Sequence, residues 1–478
     1  MKKSSLIGHV IELYGLARGN ESPPDSVVGE FFRERRYLGS HDRRFIAEAV
    51  YGIIRYELLL SRALERTFAR VEGMKPESRG RASGADTVRG RSGQFLPILM
   101  FAAYVLICER ADALQAVADF ESTWNVTVPH IPMREFFSAL RNSSTSADSA
   151  AAGEPRNLAE LYSFPEWLVD VLAKCHGVEW TSRFLRASNE PAHVTVRVNT
   201  LMCSVEEVQE ELGRSGINSS RTSLSPFGLT LERRTNLEAL PLFKNGAFEV
   251  QDEGSQVAAL LASPRSGERI LEVCAGAGGK TLELMTLMPG GGEIVATDAS
   301  AERLQILRRR VGRMQESRRD GSGTPGDEQR FFPASGGGNM CVTVLPPSHV
   351  EGEFNIVFVD APCSGLGTVR RNPWLKNRVT EEEVDSLHAL QSSILRDAAR
   401  RVMKGGRLIY VTCTVTTREN EEVVDVFLSQ EREFRLVPAA QVLQGYGLGS
   451  LADDGYLRLY PHLHGTDAFF GALFERSV

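Results

Sequence analysis

From Gln251 onward, short apolar strand-type runs alternate with helical segments, and polar loops follow directly on several strand ends. The run Arg269–Val273 leads into Cys274-Ala275-Gly276-Ala277-Gly278-Gly279-Lys280 and a helix. Glu293–Thr297 ends at Asp298, and Ser300 is placed to cap a helix with Leu304, Leu307 and Val311 on one face. Phe354–Val359 runs into Asp360-Ala-Pro-Cys363-Ser-Gly, and Arg407–Val411 into Thr412-Cys413-Thr. Between them, Thr380-Glu-Glu-Glu383 has the form of a capping box opening a long helix. A helix over 419–428 and a strand over 468–474 complete the series. Such alternation predicts a parallel, doubly wound α/β sheet, whose carboxyl edge is where open sheets bind ligands.

A chain of 478 residues is too long for one core. Residues 1–141 read as an all-α domain, with Phe45, Ala49, Val50, Ile53 and Ile54 at helical spacing and further helices expected at 96–108 and 113–120. Residues 142–157 read as a flexible linker, because they contain too little apolar surface to offset their ordering entropy. Stretches 72–94 and 315–339 have the same character and read as insertions. Residues 158–250 suit a small α/β subdomain, with a strand at 194–199 and a helix capped by Ser204 and Glu207. Residues 251–478 form the doubly wound domain.

The longest apolar run, Leu96–Cys108, contains Pro97 and is too short to span a bilayer. Gly8, His9 and Glu12 interrupt any signal-peptide core, so a cytoplasmic location is expected. Seven cysteines occur without a C-x-x-C pair or zinc spacing, which predicts a reducing compartment and no metal. A net charge of −6 demands no nucleic-acid partner. Locally, Arg33, Arg35, Arg36, Arg43 and Arg44 cluster against only Glu34 and Asp42; on charge alone this is a solvated helix face, and a phosphate-contacting patch is the sharper alternative.

The loop 274–280 has the shape of a nucleotide-cofactor site. Gly276, Gly278 and Gly279 allow close backbone approach, and Asp298 is placed to accept ribose hydroxyls. Thr281 stands where a dinucleotide fingerprint needs its third glycine, which weakens an NAD reading.

Cys363 and Cys413 each occupy a polar loop just past a strand, unlike Cys108, Cys175, Cys203 and Cys341, which read as small core hydrophobes. Two such thiols suit methyl transfer to a pyrimidine. Carbon 5 of cytosine is a poor nucleophile until a thiolate adds to carbon 6 and makes the ring an enamine. A carboxyl group near N3 and the exocyclic amine would hold the base, and Asp360 is suitably placed.

Asp360-Ala-Pro-Cys363-Ser-Gly-Leu-Gly-Thr-Val-Arg-Arg371-Asn-Pro373 and Thr412-Cys413-Thr-Val resemble the two signature motifs of the RNA cytosine-5 methyltransferases of the Sun/Fmu/NSUN family. Gln251-Asp252-Glu-Gly-Ser255 and Gly465-Thr-Asp467-Ala-Phe469-Phe470 are similar to two further family motifs. The resemblance covers at least residues 190–478. It implies S-adenosyl-L-methionine as cofactor, held by Cys274 to Lys280 with Asp298 and Asp360. It implies Cys413 as nucleophile and Cys363 as the cysteine that helps release the product. The segment Asp42-Arg-Arg-Phe-Ile-Ala-Glu-Ala-Val-Tyr51-Gly52-Ile-Ile-Arg55 is similar to the NusB-like RNA-binding domain of bacterial RsmB-type enzymes, which act on small-subunit ribosomal RNA. A monomer acting on 16S rRNA is therefore expected, with no metal and no membrane.

Two departures accompany the resemblance. The family's loop usually reads C-A-A-P-G-G-K, and here Gly276 and Ala277 replace the second alanine and the proline, implying a less rigid loop. The region Phe331–Gly336 lacks the family's acid for the adenine end, so that contact is unassigned. The alternatives are the same chemistry on tRNA, or a catalytically silent RNA-binding or ribosome-assembly factor.

Overall fold

The computed structural model describes residues 2–20, 22–70, 96–109, 135–142, 155–316, 328–331 and 339–478. The helix expected at 113–120, the stretch 72–94, residues 143–154 of the linker and residues 332–336 lie outside them. The chain divides into two compact units: Met1–Asn189 with Asn372–Arg378, and Glu190–Arg371 with Val379–Val478.

The first unit is helical where described. Its helices include Lys3–Gly19, Pro24–Glu34, Ser40–Arg55, Glu57–Arg70, Leu96–Ile107 and one over 135–142. Leu13, Tyr14, Ile46, Val50, Ile53, Leu60, Leu99, Phe136 and Phe137 form one core. The helical spacing read from 45–54 is the buried stripe of Ser40–Arg55, with Ala49, Val50, Ile53 and Ile54 inside and Phe45 half-buried.

Helices Pro155–Tyr162, Glu166–His176 and Val178–Ser188 belong to this unit, which runs to Asn189. The tie is through polar atoms that a hydrophobic pattern does not reveal. Ser163 Oγ accepts from Leu58 N at 2.8 Å, and Arg66 Nη1 pairs with Glu160 at 2.5 Å. Lys376 is also buried here, donating to Tyr162 O at 3.1 Å and Asn189 Oδ1 at 2.7 Å, and burial pushes its pKa well down.

The second unit holds two sheets. Strands β1 (Val194–Val198), β2 (Ser219–Arg221), β3 (Gly228–Leu231) and β4 (Phe248–Val250) make an antiparallel sheet in the order β2-β3-β1-β4. The helix Val205–Arg214 packs on it and opens with the expected capping box: Glu207 N donates to Ser204 Oγ (3.1 Å) and Ser204 N to Glu207 Oε2 (2.7 Å).

The larger sheet comprises β5 (Arg269–Val273), β6 (Gly292–Thr297), β7 (Glu328–Phe331), β8 (Met340–Leu345), β9 (Phe354–Asp360), β10 (Val402–Thr412), β11 (Phe434–Val437), β12 (Ala452–Asp453), β13 (Tyr456–Leu459) and β14 (Phe469–Arg476). Its order is β12-β13-β14-β10-β9-β5-β6-β8-β7, with β11 also on β14. The central strands β8, β6, β5, β9 and β10 are parallel. They are buried on both faces, as helix-covered parallel strands must be. Ile270, Ile294, Val342, Ile356 and Ile409 line one face; Leu271, Val295, Val357, Leu408 and Tyr410 line the other.

The chain passes from β5 to β6 on one side, while β9 lies on the other, so the strand order reverses between β5 and β9. Val273 pairs with Thr297 and Val359, and Val411 with Asp360, which brings the ends of β6, β5, β9 and β10 to one edge. That edge is the topological switch point of a doubly wound sheet. Among the described residues no helix is long and apolar enough to cross a membrane, and no group of three or more His, Cys, Asp or Glu could hold a metal.

Candidate active site

The loop after β5 turns sharply. Cys274 (φ +60°) occupies the left-handed region that non-glycine residues rarely adopt, and Gly276 (φ +56°) and Gly278 (φ +85°) follow in the same region. A Cβ on Gly278 would meet Leu307 at 2.1 Å, so the helix Ala301–Glu316 passes as close as only glycine permits; Gly276 has open space on its Cβ side. Ala275 N donates to Thr297 O (2.9 Å), and Gly279 opens the helix Gly279–Thr286. Burial, with the charges of Asp298 and Asp360, pushes the Cys274 thiol up to about 12, so it sits in the loop as a neutral thiol.

Asp298 braces this loop from the end of β6. Its Oδ2 accepts from Gly276 N at 2.9 Å and its Oδ1 from Ser300 N at 2.8 Å. A carboxylate offers about four acceptor positions, so two remain for a ribose. The loop has a second brace that the sequence did not reveal. Arg310 Nη1 donates to Ala277 O (2.8 Å) and its Nη2 to Glu249 Oε2 (2.7 Å), while Arg313 pairs with the other oxygen of Glu249. A guanidinium thus fixes the position where the resemblance led us to expect a proline. The residues present fit S-adenosylmethionine: open space at Gly276, backbone free to approach, and an acid at the end of the next strand.

Lys280 and Asp360 join the loop after β5 to the end of β9. Lys280 Nζ donates to Asp360 Oδ2 at 2.7 Å. Burial alone would lower the ammonium's pKa, yet Asp360 and Cys413 together hold it above the usual value. Beneath them Glu272, fully buried on β5, is pushed up to about 8 by burial, with the Thr281 hydroxyl opposing, Asp360 adding and Lys280 opposing.

The two cysteines predicted from their loops face each other, Sγ to Sγ at 3.4 Å. Both are half-buried. The hydrogen bond with Cys413, then burial and the charges of Cys413 and Glu419, push the Cys363 thiol well above its usual range. Gly367 N donates to Cys413 O (2.9 Å) and Ala468 N to Gly367 O (2.9 Å), lacing the loops after β9 and β10 to the start of β14.

The four motifs behind the resemblance are one hydrogen-bonded assembly. Arg371 Nε donates to Asp467 Oδ2 (2.8 Å) and Nη2 to Asp252 Oδ2 (2.5 Å). Asp252 Oδ1 caps the helix Glu253–Leu260 through Gly254 N (2.8 Å) and accepts from Asp467 N (3.2 Å). Gln251, next in sequence, accepts from Arg197 Nε (2.7 Å) and donates to Glu283 Oε2 (2.6 Å), linking β1 to the helix Gly279–Thr286.

Sequence reasoning missed Glu419, which it assigned to a helix. The helix begins later, at Glu421, and Glu419 is a fully buried residue between the cysteine loops. A signal existed: four threonines at 412, 414, 416 and 417 need acceptors, and Glu419 follows them.

The sequence model described as 16S rRNA methyltransferase RsmB/F matches residues 258–475, and that of an RsmF/B-like ferredoxin-like domain matches residues 164–238. The protein called probable ribosomal RNA small subunit methyltransferase B of Synechocystis sp. is 29% identical over 449 residues, 93% of each chain. The human 28S rRNA (cytosine(4447)-C(5))-methyltransferase is 30% identical over 358 residues, 71% of this chain and 41% of the human one. The crystal structure of PH0851 superposes with a TM-score of 0.70 at 25% identity, covering 100% of this chain and 99% of that one.

Proposed function

This chain belongs to the RsmB/F family of rRNA methyltransferases, and on that premise we propose that it methylates carbon 5 of a cytosine in 16S rRNA through a covalent bond from Cys413. It is an S-adenosylmethionine-dependent rRNA cytosine-5 methyltransferase. The observation that carries the covalent reading is the meeting of Cys413 with Cys363 at 3.4 Å, beside the Lys280–Asp360 pair at the carboxyl edge of β9 and β10.

The cofactor supplies an electrophilic methyl group. The chain's own residues do the rest. Residues Cys274 to Lys280 and Asp298 form the cradle for the methionine and ribose portions. Asp360, held by Lys280, accepts from the exocyclic amine and orients the base. The Cys413 sulfur adds to carbon 6, and the pair of the C5–C6 double bond moves to carbon 5, which takes the methyl. Cys363 then removes the carbon-5 proton; those electrons re-form the double bond and the carbon–sulfur pair returns to Cys413.

Residues 1–141 are read as a NusB-like RNA-binding domain of a cytoplasmic monomer. Its support is the helical architecture with exposed Arg33, Arg36 and Arg44. Part of the arginine cluster is used internally: Arg35 bonds Glu12 at 2.6 Å and lies over Phe31, and Arg43 Nε donates to Leu38 O at 2.9 Å. Phosphate contact therefore falls to the exposed arginines, with a salt-dependent contribution. Bisulfite sequencing of rRNA and tRNA from cells lacking this protein tests the substrate. Loss of one 5-methylcytosine in 16S rRNA is expected; loss confined to tRNA, or no loss, contradicts the reading.

A further inference from the structure

Resting on the reading of Cys413 as nucleophile, we propose that Glu419 is the positioning residue that gives the two cysteines different jobs, tying their loops together and setting its charge beside Cys363. Glu419 has no exposed surface and gathers five donors: Ser364 N (2.7 Å) and Gln391 Nε2 (3.2 Å) on Oε1, and Ser364 Oγ (2.7 Å), Thr414 Oγ1 (2.9 Å) and Thr416 Oγ1 (2.8 Å) on Oε2. Burying a carboxylate is tolerated when hydrogen bonds replace its water, and here they do. All but Thr416 are tied directly to the cysteines' neighbours. Ser364 follows Cys363, Thr414 follows Cys413, and Gln391 also donates to Pro362 O (2.9 Å), which precedes Cys363. Tyr410 Oη donates to Glu419 O (2.7 Å), pinning the residue to β10.

The need for such a device follows from the sulfur separation. Two thiolates 3.4 Å apart repel strongly, so only one ionises at a time. The surroundings are asymmetric. The charge of Cys413 helps hold up the pKa of Lys280, which is bonded to Asp360, while the Glu419 carboxylate, bonded to Ser364 N next to Cys363, helps to keep Cys363 protonated. Attack therefore falls to Cys413. Once its sulfur is a neutral thioether on carbon 6, the like charge and the thiol hydrogen bond are gone, and half-buried Cys363 can lose its proton to water and serve as base.

The test uses the full chain without RNA or cofactor: iodoacetamide labelling, with Cys363 and Cys413 quantified separately by peptide mass spectrometry. The wild type should label mainly at Cys413. Glu419→Gln, which keeps the shape and removes the charge, should raise the Cys363-to-Cys413 ratio about threefold or more, the factor that half a pKa unit makes in thiolate fraction. An unchanged ratio in a variant with wild-type circular dichroism overturns the proposal. Should Glu419→Gln not fold, Glu419→Asp withdraws the charge by one methylene and must move the ratio in the same direction; no movement overturns the proposal equally. In turnover, kcat should fall while the KM for RNA holds, and a change in KM alone contradicts a positioning role. Trapping of the wild type on 5-fluorocytidine RNA separates the two readings: its absence removes Cys413 as nucleophile whatever the labelling ratio, and its presence with an unmoved ratio removes only Glu419.

Discussion

Lys280 Nζ lies 2.7 Å from Asp360 Oδ2, joining the loop after β5 to the last residue of β9. In the proposed reaction these two loops serve the cofactor and the base, and the pair fixes one against the other. Lys280→Met leaves Asp360 without its counter-charge and free to reorient. Methyl incorporation into rRNA should fall about 100-fold, within the range that a positioned acid–base group contributes. Activity near wild type would show that Asp360 needs no such support.

Arg310 stands in for the missing loop proline by holding Ala277 O at 2.8 Å. Arg310→Ala should raise the KM for S-adenosylmethionine about tenfold, equivalent to ~1.4 kcal/mol, with kcat at saturating cofactor little changed. Isothermal titration calorimetry with the cofactor checks it, and unaltered affinity would mean that the loop holds its shape without the guanidinium.

Arg371 bridges Asp252 and Asp467, whose side chains are 11% and 3% exposed. Removing it strands two buried carboxylates. Arg371→Ala should cost about 3–5 kcal/mol of unfolding free energy, read from chemical denaturation. Arg371→Lys should recover only a part, since an ammonium cannot reproduce the two-pronged contact.

Burial pushes Glu272 up to about 8, with Thr281 and Lys280 opposing and Asp360 adding, and pushes Glu283 up to about 7, with Arg197 opposing. A carboxyl whose pKa is higher folded than unfolded binds its proton more tightly when folded. Its contribution to stability is present at low pH and is lost as pH rises from the ordinary value of 4.5 through the folded one. Glu272→Gln should therefore gain on the wild type as pH rises from 5 to 8, by about 1–3 kcal/mol at the upper end. Parallel melting curves for the two proteins would refute this.

The carboxyl edge was legible because each strand end carries its own local mark. Val273 gives way to a glycine loop, Thr297 to Asp298 and Ser300, Val359 to Asp360, and Val411 to Thr412-Cys413. The doubly wound sheet followed from the same pattern. Strands β7 and β8 escaped notice, flanking a glycine-rich stretch that reads as an insertion. β10 begins five residues earlier than its apolar run, across a register shift between Val402 and Arg407. Arg310 and Glu249 were invisible for another reason. They lie 61 residues apart in sequence, and no local periodicity encodes such a contact. The same holds for Arg371 with Asp252, although both had been singled out within separate motifs. Glu419 was hidden in part: its tie to Ser364 spans 55 residues, while Thr414 and Thr416 are close by.

The account turns on which sulfur bonds the base. Incubating 5-fluorocytidine-substituted 16S rRNA with S-adenosylmethionine and the wild type, Cys413→Ala and Cys363→Ala proteins, followed by denaturing electrophoresis, reads that bond directly. The account predicts a covalent complex with the wild type, none with Cys413→Ala, and with unsubstituted RNA a complex that persists only in Cys363→Ala. A covalent complex formed by Cys413→Ala would contradict it.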